Sequence, residues 1–79
     1  MNVTTEDIRN IPAGALQLFP CENGSKVKSA RSLVSIVKET GMQEGVVNFE
    51  TRKFVLETGL VFAIRAMREG DTPILNIKA

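Results

Sequence analysis

The stretch from Lys26 to Thr40 constrains this chain more than any other. At 100° per residue, Val27, Ala30, Leu33, Val34 and Val37 fall on one face. Lys28, Arg31, Ser32, Ser35, Lys38 and Glu39 fall on the other, with Ile36 at the boundary. Ser25 is the expected N-cap, and Gly41 is a natural residue to end the helix. A helix with one apolar stripe must cover it with another element. In a chain of 79 residues that element has to come from a single small domain.

The flanking sequence supplies strands. Ala15 to Phe19 alternates weakly, and Pro20 either stops it or places it at a sheet edge. Cys21-Glu22-Asn23-Gly24 reads as a turn. Val46 to Phe54 has strand composition, with Val47, Phe49 and Thr51 on one face and Asn48, Glu50 and Arg52 on the other. Glu57-Thr58-Gly59 reads as a hairpin loop leading into a β-branched and aromatic run from Leu60 to Met67. Gly70-Asp71 makes a further turn, and Pro73 to Ile77 is expected to add an edge strand. Before all of these, residues 2–10 read as a short helical turn capped by Thr4 or Thr5, with Glu6 and Asp7 in its first turn.

A rival reading runs one helix from about Thr51 to Glu69, because Leu56, Leu60, Ile64 and Met67 are spaced at helical intervals. Gly59 inside it would cost about 1 kcal/mol relative to Ala, and Val55, Val61 and Phe62 prefer a strand. The hairpin is the preferred reading. The expected fold is therefore α+β: a single domain over residues 1–79, with a short N-terminal helical segment (1–11) and a βαββ core (15–78). One amphipathic helix packs on an antiparallel sheet, which a fourth strand would extend.

Composition narrows the chemistry. With no His and one Cys, a conventional zinc or iron site cannot be assembled from this chain, and His-based nucleophilic triads are excluded. The acids are scattered, and no spacing singles out a pair that could face each other across a cleft. Gly41 to Gly45 lacks the Lys-Ser/Thr ending of a phosphate loop. No enzymatic activity, cofactor or metal is expected. Cys21 sits just before a helix N-terminus, where a thiol pKa can fall. It has no base or resolving thiol, so a small buried hydrophobe is the simpler reading. No apolar run approaches the roughly 18–20 residues needed to cross a bilayer. The N-terminus carries acids in place of a basic leader, and the expected compartment is the cytoplasm.

Two surfaces stand out. From Asn23 to Lys38 the chain carries Lys26, Lys28, Arg31 and Lys38 with no acid. Lys28, Arg31 and Lys38, with Arg52 and Arg65 as supporting contacts, are candidates for binding the phosphate backbone of a nucleic acid. Lys53 and Arg68 could extend that surface if the hairpin lies beside the helix. A basic and serine-rich helix face is also simply how many helices stay soluble. With no Trp or Tyr, aromatic-platform recognition of single strands is disfavoured. The second surface is apolar. If Leu60, Phe62, Ile64 and Ala66 face the helix, then Val61, Ala63 and Met67 face away and form a candidate interface. Either the N-terminal segment, with Ile8, Ile11 and Leu16, folds over that second face, or another chain covers it. The alternative function is thus a protein-interaction or assembly subunit, binding a second copy, a phage protein or a host protein.

Ile11-Pro12-Ala13-Gly14, Phe19, Ser29-Ala30-Arg31-Ser32, Val37-Lys38, Thr51-Arg52-Lys53 and Ala63-Ile64-Arg65 resemble short uncharacterised proteins of bacteriophages and mobile elements of gut bacteria. The likeness runs from about Ile11 to Arg68. It implies a small βαββ-type module without enzymatic activity that handles nucleic acid or binds a host or virion protein. It supplies no site residues.

Overall fold

The computed structural model describes residues 3–75. The order is α1 (Thr5–Arg9), β1 (Leu16–Cys21), α2 (Gly24–Thr40), β2 (Asn48–Leu56) and β3 (Gly59–Met67). The strands form one antiparallel sheet in the order β1-β3-β2. α2 packs on one face of it, so the fold is α+β.

β3 lies in the centre of the sheet. Phe62, Ala63, Ile64, Ala66 and Met67 are all buried, the near-continuous apolar run expected of a strand covered on both faces. The hairpin reading holds over the rival helix. Leu56 pairs with Gly59, leaving Glu57 and Thr58 as the connection, and Gly59 takes the positive φ of 136° that its neighbours avoid. β1 is an edge strand that continues through Pro20 to Cys21. An edge tolerates proline because one side of the strand needs no donor.

α2 buries Val27, Ala30, Val34 and Val37 against Phe19, Phe49, Phe62 and Ile64, with Leu33 partly buried beside them. Its N-cap is Asn23 and not Ser25. Asn23 has extended backbone, and its side-chain oxygen accepts from the Lys26 N–H at 3.0 Å, which leaves Ser25 inside the first turn. At the other end Arg9 of α1 donates to the Gly41 carbonyl and the Thr40 hydroxyl, both at 3.1 Å. A cation is thereby placed on the negative end of the helix dipole. α1 is closed by a reciprocal Thr4–Asp7 capping box.

The face of the sheet away from α2 differs from expectation in two ways. Ile8 and Ile11 do not cover it; they join the core on the α2 side. Its cover comes from the other end of the chain. Residues 73–75 form no strand, and Asn76 and Ile77 lie outside the described residues. The segment crosses this face, gripped by side chains. Arg65 Nη1 donates to the Thr72 carbonyl at 2.8 Å, and Arg52 Nη1 donates to the Leu75 carbonyl at 2.7 Å. The Leu75 N–H donates to Glu50 Oε2 at 2.9 Å. With its main-chain groups satisfied in this way, the segment needs no place in the ladder.

The turn feeding this segment is clasped by Asp71. Its carboxylate accepts from the Arg68 backbone N–H at 2.7 Å and from the Arg68 guanidinium at 3.2 Å. The Arg68 side chain, then the Arg68 backbone N–H, hold the Asp71 carboxyl below its ordinary value, with the charges of Arg68 and Arg65 adding to this. A depressed pKa means that the clasp's contribution is fully present above the ordinary carboxylate range. It is lost as pH falls through the lowered value. NMR titration of the side-chain carboxyl is expected to show Asp71 ionising below the exposed carboxylates, and Arg68→Ala is expected to raise it part of the way toward their range, because the backbone N–H of residue 68 and the Arg65 charge remain.

Val34, with 4% of its surface exposed, tests the seating of the helix. Val34→Asp loses about 1.5–3 kcal/mol of apolar burial and adds the cost of a buried, unpaired charge. A core of this size rarely supplies more than about 3–5 kcal/mol. The variant is expected to lose its cooperative thermal transition by circular dichroism; a wild-type melt would mean that the helix is seated elsewhere.

Candidate functional site

Lys28, Arg31, Ser35 and Lys38 follow each other at helical intervals along one flank of α2. At the N-terminal half of that flank, Lys28 and Arg31 meet Lys53 of β2. With Gly24 and Val27 they line a cleft of about 280 Å³. Lys53 reaches it because strand alternation puts Lys53 on the same sheet face as the buried Phe49. The Arg31 guanidinium lies over the Phe62 ring, 5.3 Å from its centroid, within cation–π range. This contact limits the freedom of an otherwise exposed side chain and holds its charge beside the two lysines.

No acid is among the residues lining this cleft. Glu50 and Asp71 pair with Arg65 and Arg68 on or beside the opposite face of the sheet. Among the described residues, no carboxylate forms an ion pair with Lys28, Arg31 or Lys53. Two ammonium groups and one planar guanidinium therefore converge on a small cleft with Val27 in its lining. This arrangement attracts an anion with several oxygens, the guanidinium offering a fork of donors and the lysines point charges. Lys38 extends the charge along the helix, ~10 Å of rise beyond Arg31.

The sheet arginines do not join this surface. Arg52 and Arg65 sit on the face away from α2, opposite Ala63 and Glu50 respectively. There they hold the C-terminal segment, and Arg65 also lies 3.6 Å from Glu50 and 3.7 Å from Asp71. Arg52 is stacked over Phe54 at 5.2 Å. Their guanidiniums hold structure on one face while Lys28 and Arg31 line a cleft on the other. Lys53 takes the place expected of them, and its shared alternation with Phe49 and Thr51 is the sequence signal that points to it.

Val61, Ala63 and Met67 do face away from α2, as the alternation requires. Ala63 and Met67 are nevertheless buried within the chain, and Val61 is half-buried. The apolar groups that this face exposes on β1 are Leu16 and Leu18, at 46% and 53%. Cys21 is buried, with its thiol directed at the Phe19 carbonyl at 3.5 Å.

Among the described residues, no group of three or more His, Cys, Asp or Glu side chains is placed to hold a metal ion. Among the same residues, no helix is long and apolar enough to cross a membrane. Comparison with protein-family models, with curated proteins and with solved structures returns no match.

Proposed function

We propose that this protein is a non-enzymatic binding module that contacts the phosphate backbone of a nucleic acid through the flank of α2 and the adjoining strand β2. The observation that carries this reading is the convergence of Lys28, Arg31 and Lys53 on one cleft with no acid in its lining and, among the described residues, no carboxylate ion-paired to them. Cations in a solvated surface usually stand near acids of opposite sign. Here Glu50 and Asp71 are engaged by Arg65 and Arg68 away from the cleft, and the residues lining the cleft carry positive charge alone.

Backbone recognition fits the side chains present. Lysine and arginine neutralise phosphates without reading sequence. Ser35 on α2 is exposed and adds a short-range donor along the track, whereas the Ser32 hydroxyl donates to the Lys28 carbonyl at 3.1 Å. Duplex is the expected form. The Phe62 ring is fully buried and carries Arg31 on its face, so it is closed to stacking by a splayed base.

Affinity for a short duplex should fall steeply with salt. If Lys28, Arg31, Lys53 and Lys38 each neutralise about one phosphate, log K against log salt should have a slope of roughly −3 to −4. Lys53→Glu is the informative variant, because only the folded chain brings it to α2. It should weaken binding about tenfold or more and flatten that slope by about one. Arg52→Ala, on the other face, should leave the slope unchanged. Fluorescence anisotropy across a salt series measures both; equal loss in the two variants would contradict the placement of the site.

A further inference from the structure

We propose that the sheet face away from α2 is a docking groove for an extended chain segment, filled in cis by residues 72–75 and able to take the same segment of a second copy in trans. The groove grips main chain. Arg65 and Arg52 donate to the carbonyls of Thr72 and Leu75 at 2.8 and 2.7 Å, and Glu50 accepts the Leu75 N–H at 2.9 Å. One side chain anchors the segment: Leu75 is buried, while Ile74 next to it is half exposed.

Glu50 makes this face unlike an ordinary covered surface. It is the buried charged residue of the described chain, at 5% exposure. Burying a carboxylate is costly unless partners compensate it, and an apolar residue would close the face more cheaply. Glu50 finds its compensation in Arg65 and in the N–H of the docked segment. Its Oε1 atom has no hydrogen-bond partner and lies 3.6 Å from Arg65 Nη1, so the hydrogen bond from the segment falls on Oε2 alone.

The segment is also separable. It is not annealed to a strand edge, and its departure breaks no ladder bond. It is held back by the Arg68–Asp71 clasp and by the positive-φ turn at Gly70. A second copy brings an identical segment to an identical groove, so a reciprocal exchange recreates every contact. The tether favours cis at low concentration, and trans occupancy rises with protein concentration or when the clasp is broken.

The test uses the full-length chain and a labelled synthetic peptide with the sequence of residues 71–79. Leu75→Asp in the protein prevents its own segment from seating and leaves the groove intact. Peptide binding followed by anisotropy should be saturable and at least tenfold tighter for this variant than for wild type. Adding Arg52→Ala should abolish it, while Lys53→Glu, in the α2-side cleft, should have no effect. A Leu75→Asp chain that melts cooperatively and binds no peptide overturns the proposal. Equal binding of a scrambled peptide overturns the second copy as occupant. If Leu75→Asp does not fold, light scattering on Asp71→Ala serves instead. A dimer fraction that grows with concentration supports exchange, and a strict monomer at every concentration overturns it.

Discussion

The ring of Phe62 is the contact on which the rest of the molecule depends. It sits in the central strand, fully buried, and faces α2. Hydrogen bonding of β3 to both neighbours fixes its position along the sheet. The Phe62 ring then sets where the valine stripe of α2 can settle. The same ring carries the Arg31 guanidinium over one face, so one aromatic group seats the helix and orients a charge of the candidate site.

The two faces of the sheet divide the charges between them. On the α2 side, Lys28, Arg31 and Lys53 line a cleft to which no acid contributes lining. On the far side, Arg52 and Arg65 are committed to Glu50, Asp71 and the carbonyls of the C-terminal segment. Coulomb attraction between such groups is stronger where water is partly excluded, and it holds Glu50 and Asp71 beside Arg65. Net charge is only +1, yet the lining of the cleft carries Lys28, Arg31 and Lys53 and no acid.

Much of this was legible in the residues. The 3.6-residue spacing of Val27, Ala30, Val34 and Val37 gave α2 its buried face, and the Glu57-Thr58-Gly59 loop between two runs of strand composition marked the hairpin. The helix start was shifted because Asn23 and Ser25 both suit an N-cap, and only the extended backbone at Asn23 decides between them. Alternation along β2 already separated Lys53 from Arg52. What it could not provide was which strand face receives the helix at that point, and so which cation joins the cleft. The C-terminal segment was the least legible part. Pro73, Ile74 and Leu75 have strand composition, but their main chain is captured by Glu50, Arg52 and Arg65. Those residues are distant in sequence, and no local pattern records such a capture.

The most direct test of a nucleic-acid surface on the α2 side is an amide chemical-shift map of the ¹⁵N-labelled chain titrated with a short duplex at low salt. The account predicts progressive shifts from Gly24 to Arg31 and at Lys53, with the Arg31 Nε signal moving alongside them and Leu18, Val61 and Leu75 unmoved. Shifts confined to Leu16, Leu18 and Val61, or none at any salt, would contradict it.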